Sequence, residues 1–211
     1  MKIEPTISIH ERIYRSLRLR IMFGEIIPGK TFSIRGLAEE FSVSMTPVRD
    51  ATRRLVAEGA LTMSSSGRIS APQLNSYRVE ELFSIRLLLE PQLAIRAAPR
   101  VHATLIERLS KINNLIEEMI ARGNQEKYLK INIEFYKTLY LRAQAPAMLT
   151  VLETVWLQLG PTLKVAFQKE LNSNGVLNHT RILLALRSGN PEDLVDSIKA
   201  DIKSGLEIIL N

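Results

Sequence analysis

Apolar residues recur at helical spacing in the first part of the chain. The spacing predicts a helix over 8–23. Every fourth position is apolar there, so one face of the helix carries Ile9, Ile13, Leu17 and Ile21. Gly24 follows as a stop signal. Two shorter periodic segments, each preceded by a serine that can cap a helix, predict helices over 34–41 and 44–58.

The pattern changes after the third helix. Residues 60–63 and 68–71 flank the serine- and glycine-rich stretch 64–67 and predict a short β-hairpin with an exposed tip. Pro72 closes this segment, and longer helical periods follow. Six further helices are predicted, over 77–98, 104–122, 125–143, 146–170, 176–188 and 191–209.

This order of elements predicts a mostly α protein made of two domains. Three short helices followed by a hairpin are typical of a winged helix-turn-helix, in which the third helix enters the major groove of DNA. We therefore expect a DNA-binding domain over 1–72 and an all-helical bundle of about six helices over 73–211.

Composition narrows the class of protein. The 211 residues include no Cys, which excludes a disulfide framework, a thiolate metal site and a Cys nucleophile. No apolar run approaches the ~20 residues of a membrane span, and the first residues lack the apolar region of a signal peptide. We expect a cytoplasmic protein that does not associate with membranes.

The formal net charge is +6, and the excess leans toward the N-terminal domain. Residues 1–72 hold 11 Lys+Arg against 7 Asp+Glu, and nine of those cations are Arg. Arginine suits bidentate contacts with phosphate and guanine. A basic surface that is merely solvated would give the same count, so charge alone does not decide the partner.

The predicted third helix begins with small residues and continues with arginines. Ser44-Met45-Thr46-Pro47 would let backbone N–H groups approach a phosphate, which the helix dipole also favours. Arg49 and Arg53 are four apart and share a face, so both can point at DNA. In the alternative, several of these arginines only solvate helix surfaces. They are Arg53, Arg54 and a row on the first helix, namely Arg12, Arg15, Arg18 and Arg20.

The same residues carry a resemblance to a known family. The run Val43-Ser44-Met45-Thr46-Pro47-Val48-Arg49-Asp50-Ala51, with Leu55 and Glu58-Gly59 after it, resembles the DNA-binding domain of the GntR family of bacterial transcription regulators. The helical remainder resembles the FadR-type effector domain (FCD domain) in the six-helix form of the VanR-like subgroup. Arg86-x-Leu88-x-Glu90 and His179-x-x-Ile182-x-x-Ala185-Leu186 carry that second resemblance.

The resemblance implies a set of DNA contacts. Arg49 becomes the candidate for base readout, and the hairpin tip is expected to enter the minor groove. Arg53 lies on the same face as Arg49, and Arg68 lies beside the tip, so both are included. The candidate DNA-binding residues are Arg35, Ser44, Met45, Thr46, Pro47, Arg49, Arg53, Ser66, Gly67 and Arg68.

The resemblance also implies an effector site. Many FadR-type domains hold a divalent metal, and through it a carboxylate effector, with an Asp-x-x-x-His pair and two later His. The matching positions here are Asn132, Tyr136, His179 and Asp201. Only His179 and Asp201 are plausible metal ligands, so we expect no tightly held metal and no cofactor, with a weak divalent ion left open.

Without a metal, an anionic effector would be held directly. Arg86 would supply the charge, while Tyr136 and His179 would donate hydrogen bonds. In the alternative, the bundle core holds a ligand-free network in which His179 pairs with Asp201 and Arg86 pairs with Glu90.

We therefore expect a sequence-specific DNA-binding repressor, not an enzyme, that binds palindromic double-stranded DNA as a homodimer and responds to a small, carboxylate effector. Two other functions stay open. One is a small helical enzyme that uses His179 and Asp201 as an acid–base pair, although no Gly-rich phosphate loop or nucleophile motif supports it. The other is a protein-interaction adaptor with a vestigial winged helix.

Overall fold

The N-terminal helices form where the apolar spacing predicts them. The computed structural model describes residues 8–122, 127–169 and 174–210. Its first helices are α1 (Ile9–Met22), α2 (Ile34–Glu40) and α3 (Met45–Ala57). The apolar face of α1 is buried at Ile13, Leu17 and Ile21, each at most 2% exposed. Ser33 caps α2 as predicted, since its Oγ accepts a hydrogen bond of 3.0 Å from the Gly36 N–H.

A small antiparallel sheet completes this part. Its strands are β1 (Thr31–Phe32), β2 (Thr62–Met63) and β3 (Ile69–Ser70), with β3 between the other two. The predicted hairpin is confirmed as the β2–β3 pair, in which Thr62 lies opposite Ser70. The pairing of β1 with β3 was not predicted, because a strand of two residues shows no alternation in the sequence. The N-terminal part is thus a winged helix-turn-helix.

The six longer helices also form within a few residues of their predicted bounds. They are α4 (Ser76–Ala97), α5 (Ala103–Ala121), α6 (Tyr128–Tyr140), α7 (Pro146–Lys169), α8 (Asn174–Ser188) and α9 (Pro191–Leu210). Short 3-10 turns over 98–100 and 141–143 follow α4 and α6. Residues 125, 126 and 170, which the predicted helices included, lie outside the described residues. No helix in the described ranges is long and apolar enough to cross a membrane.

A buried polar cluster ties three helices of this bundle together. The Glu90 carboxylate on α4, with no exposed surface, accepts hydrogen bonds from Arg86 Nε at 2.6 Å, Tyr140 OH at 2.9 Å and Trp156 Nε1 at 3.2 Å. Burial opposes the charge of Arg86, but the adjacent Glu90 carboxylate raises the Arg86 pKa overall. Arg86 therefore stays charged, and the hydrogen bonds that Tyr140 and Trp156 donate to Glu90 fix α6 and α7 against α4.

Helix α7 also packs on α1 of the winged helix-turn-helix. A Cβ atom at Gly160 would lie 2.6 Å from the carbonyl oxygen of Ile21 and closer still to that of Met22, so the two helices touch backbone to backbone. On one side of this contact Arg18 Nη1 lies 3.3 Å from Glu153 Oε2. Helix α7 therefore joins the two parts of the chain through a backbone contact and an ion pair.

A methyl group at Gly160 is expected to disrupt this contact. Gly160→Ala should lower the free energy of unfolding by about 1–3 kcal/mol, because the new Cβ meets backbone atoms that cannot rotate away. Gly205→Ala is the matched control on α9: its Cβ would stand 3.6 Å from the Phe83 ring, an ordinary contact. The control should be neutral or up to about 1 kcal/mol more stable in urea denaturation. Equal stability of the two variants would contradict the close α1–α7 contact.

Removing the charge of Glu90 should destabilise the bundle strongly. Glu90→Gln leaves the buried Arg86 without a counter-charge, and we expect a loss of about 3–5 kcal/mol in thermal or urea unfolding. Glu81→Gln is the control on the same helix, where Glu81 pairs with Arg78 and both side chains are more than 40% exposed. Its cost should stay below about 1 kcal/mol. A similar cost for both variants would mean that the Glu90 cluster is not a structural tie.

Candidate functional site

The start of α3 presents an exposed helix N-terminus. Ser44, Met45 and Thr46 are exposed and Pro47 is partly buried, as the DNA-binding expectation requires. The Ser44 side chain makes no capping hydrogen bond, so its hydroxyl and the first N–H groups of α3 remain available to an anion. The tight connection to α2 depends on Ser42, which adopts a left-handed φ of 54°.

The arginines of α3 divide into two groups. Arg49 and Arg53 are exposed, and neither has a carboxylate partner within the described residues. Arg54, by contrast, lies 3.1 Å from Glu11 and 3.6 Å above the centre of the Tyr14 ring. Arg54 thus packs against α1, which fits the alternative that it does not contact DNA. Arg49 and Arg53 remain free to contact DNA.

Arg35 stands beside this helix start. It lies on α2, its side chain is 82% exposed, and it forms an i,i+4 ion pair of 3.0 Å with Glu39. Such an exposed pair contributes little stability, so a DNA phosphate can displace Glu39 at small cost. Arg35 borders a shallow cleft between α2 and α3 whose other side is formed by Ser44 and Met45.

The hairpin tip forms an exposed wing. Ser66, Gly67 and Arg68 are all exposed, and Gly67 adopts a φ of 77°, which favours glycine at the turn. Ser64 N–H donates to the Arg68 carbonyl oxygen at 2.9 Å and closes the loop. Arg68 has no acidic partner in the described part of the chain, so its charge can be offered to a DNA groove.

The arginine row of α1 serves the structure instead. Arg15 pairs with Glu11, Arg18 with Glu153, and Arg20 with Glu40 at 2.8 Å. Arg12 is exposed. The alternative that this row only solvates the helix surface fits Arg15, whose side chain is 59% exposed. It does not fit Arg18, whose side chain is 16% exposed and joins α1 to α7.

The helical bundle contains a small cavity where most of the predicted effector residues meet. Arg86, Asn132, Tyr136 and Asp201 line it, together with Trp156, and the space accessible to water is about 40 Å³. The remaining lining residues were not predicted: Tyr128, Leu129, Ile133, Leu163, Phe167, Gly175, Ser204, Gly205 and Ile208. The cavity thus lies between α4, α6, α7, α8 and α9.

His179 does not line this cavity. It is fully buried on α8 and stacks on the Phe135 ring with centroids 4.2 Å apart, beside Tyr136. Its Nδ1 lies 3.2 Å from Oδ1 of Asn113, a residue that sequence reasoning missed. The predicted pairing of His179 with Asp201 is therefore wrong, since a polar partner from α5 reaches the ring instead.

Asp201 is paired with Tyr136. The Tyr136 hydroxyl donates to Asp201 Oδ2 at 2.6 Å, and burial, followed by the nearby Asp201 charge, raises the Tyr136 pKa well above 10. Tyr136 therefore stays protonated and keeps its hydrogen bond. The other alternative pair, Arg86 with Glu90, is confirmed at 2.6 Å.

Two buried acceptors in this region have no hydrogen-bond partner among the described residues. They are Asn132 Oδ1 and His179 Nε2. Asn113 Nδ2 points toward Glu117 and Thr180, so the Asn113 oxygen faces His179 and accepts the proton on Nδ1. His179 Nε2 then carries a lone pair, and because burial lowers the His179 pKa, the ring is neutral.

The donor set does not fit the divalent metal that FadR-type domains hold. No group of three His, Asp or Glu side chains comes together within the described residues. The protonated Tyr136 is a weak ligand and is engaged with Asp201, and Asn132 offers only a neutral oxygen. One imidazole and one carboxylate are too few for the tetrahedral or octahedral sites that bind such ions tightly.

Comparison with known proteins assigns a family to each of the two parts of the chain. Residues 9–69 match the bacterial regulatory proteins of the gntR family, and residues 81–204 match the FCD domain. The HTH-type transcriptional regulator McbR of Escherichia coli is 24% identical over 190 residues, which are 88% of this chain and 86% of that protein. The gluconate operon transcriptional repressor of Bacillus subtilis is 28% identical over 153 residues, 72% of this chain and 61% of that protein.

Solved structures show the same fold. That of Escherichia coli McbR/YncC superposes with a TM-score of 0.90 at 22% identity and covers 97% of this chain and 98% of its own. A candidate GntR transcriptional regulator from Rhodococcus sp. RHA1 has a TM-score of 0.80 at 19% identity, with 95% and 97% covered. The chain therefore belongs to the GntR family of bacterial transcription regulators and carries an FCD effector domain.

Proposed function

We propose that this protein represses transcription by binding a palindromic DNA site through α3 and the wing. Arg49 and Arg53 support this proposal, because they lie on an exposed helix face and pair with no carboxylate of the described residues. Arg54 on the same helix is instead neutralised by Glu11 and Glu58. Cations that stay free beside an open helix N-terminus suit phosphate and base contacts.

We further propose that the chain divides at residue 72 into two domains with different functions. Residues 1–72 bind DNA, and residues 73–211 bind the effector and a second copy of the chain. Exposed apolar side chains on the helical part, such as Leu88 and Leu184, support the homodimer. A symmetric dimer doubles the contact area over a palindrome. Binding to DNA would place the protein in the cytoplasm.

The effector site of this proposal is the cavity between α4 and α9. Trp156 lies at the cavity and belongs to α7, the helix that contacts α1 four residues later at Gly160. A ligand that moves α7 can therefore change the position of the winged helix-turn-helix. We do not assign catalysis to the cavity, because His179 faces Asn113 and no hydrogen bond joins it to Asp201 among the described residues.

Replacing Arg49 should weaken DNA binding and relax sequence preference. On a duplex that the wild-type protein enriches from a random pool, Arg49→Ala should cost about 1–3 kcal/mol in fluorescence anisotropy titrations. Arg54→Ala is the matched control on the same helix, because Arg54 is held by Glu11 and Tyr14. It should bind the duplex within about twofold of wild type, since no DNA contact is lost. Equal losses for both variants would contradict the assignment of the DNA-reading face.

The wing should contribute an electrostatic contact. Arg68→Ala should weaken binding and reduce the slope of log affinity against log salt by about 1, because one phosphate or groove contact is lost. Arg122→Ala is the control, since Arg122 is 74% exposed on the helical part. The salt slope of the control should match wild type. An unchanged slope for the Arg68 variant, with the fold intact by circular dichroism, would exclude a wing contact.

A further inference from the structure

The effector cavity has an excess of negative charge. Among the described residues, its ionisable lining consists of Arg86 and Asp201, together with Tyr128 and Tyr136, which burial keeps protonated by raising their pKa values. The charge of Arg86 is already matched by Glu90 in a buried pair. Asp201 has no ion pair with a Lys or Arg in the described ranges, and it accepts one hydrogen bond, from Tyr136. Arg86, Glu90 and Asp201 together leave one uncompensated carboxylate at the cavity wall.

The cavity also has more hydrogen-bond acceptors than free donors. Asn132 Oδ1 at the cavity is a buried acceptor without a donor among the described residues. Asp201 is partly buried, and its Oδ1 has no protein donor within the described residues. The donors of the region are already in use, since Tyr136 is bound to Asp201 and Trp156 to Glu90. A ligand that supplies N–H groups would therefore complete the site, while one that supplies only acceptors would add to the imbalance.

Aromatic and aliphatic side chains share the apolar lining of the cavity equally. Four rings border the cavity: Tyr128, Tyr136, Trp156 and Phe167. Tyr128 and Phe167 meet edge to face with centroids 4.9 Å apart, which fixes both rings. Aromatic faces next to a carboxylate attract organic cations through the ring quadrupole, whereas they repel the charge of a carboxylate ligand.

We propose that this cavity binds the ammonium group of a small organic amine, held by Asp201 and Asn132 and enclosed by the aromatic rings. The accessible space of about 40 Å³ admits roughly three or four non-hydrogen atoms, so the ligand is a small amine or the amine end of a larger molecule. This ligand class rests on the proposed effector function and replaces the carboxylate expected from the sequence. In this proposal Arg86 pairs with Glu90, and Asp201 supplies the charge that binds the ligand.

The test uses the full chain and its own fluorophore. Trp156 is the single tryptophan of the protein and borders the cavity, so its emission reports on occupancy. Three probes of similar size differ in charge: ethanolammonium chloride, ethylene glycol and sodium glycolate. They are titrated at constant ionic strength, and MnCl₂ and ZnCl₂ are titrated separately. A ligand of four non-hydrogen atoms binds no more tightly than about 10⁻⁵ M, so titrations extend into the millimolar range.

Ethanolammonium should give a saturable change in emission, with an affinity at least ~10-fold above that of glycolate or ethylene glycol. Asp201→Asn should weaken ethanolammonium binding by about tenfold or more, because its amide keeps an acceptor for Tyr136 but removes the charge. Asp196→Asn, an exposed change on the same helix, should stay within about twofold of wild type.

Three results would overturn the proposal. They are preferential binding of glycolate, saturable binding of Mn²⁺ or Zn²⁺ without any response to ethanolammonium, and absence of a response to all probes. The comparison of ligands on the wild-type protein distinguishes these results from the expected one even if Asp201→Asn fails to fold. DNA binding is measured separately on the same preparation. Amine binding without DNA binding would refute the repressor function alone, and DNA binding without amine binding would refute the ligand class alone.

Discussion

The close contact between α7 and α1 determines how the two parts of this protein can act together. Two helices approach backbone to backbone only where one of them lacks a side chain, and Gly160 provides that position against the carbonyl groups of Ile21 and Met22. Glu153 adds an ion pair to Arg18 on the same face. Because a packed contact of this kind resists gradual deformation, the proposed effect of a ligand on DNA binding would pass through it.

Contacts continue from this interface in both directions. Toward the cavity, Trp156 on α7 donates to Glu90, which is joined to Arg86. Toward the DNA-binding surface, Tyr14 on α1 donates to Glu58 at 2.6 Å, just after α3 ends. Burial and that carboxylate raise the pKa of Tyr14 to about 12, so the hydrogen bond persists at neutral pH. The cavity and α3 are thus linked by these hydrogen bonds and by the backbone contact between α7 and α1.

Local sequence patterns were enough for the helices but not for the polar network. Apolar spacing, caps and glycine stops placed α1 to α9, and the i,i+4 pair of Arg86 and Glu90 was predictable for the same reason. The partners of Tyr136 and His179 lie 65 and 66 residues away, and nothing in the sequence indicates which polar residues the fold will bring together. The charge balance of the cavity, on which the proposed ligand class rests, therefore became visible only in three dimensions.

The proposed reading of DNA by the exposed arginine face of α3 is tested most directly by selecting bound duplexes from a random-sequence pool and sequencing them. Such a selection requires no knowledge of the natural site. We expect enrichment of an inverted repeat, since two copies of α3 related by a dimer axis would read the same half-site twice. A pool with no enriched sequence after repeated rounds, although the protein is folded, would contradict it.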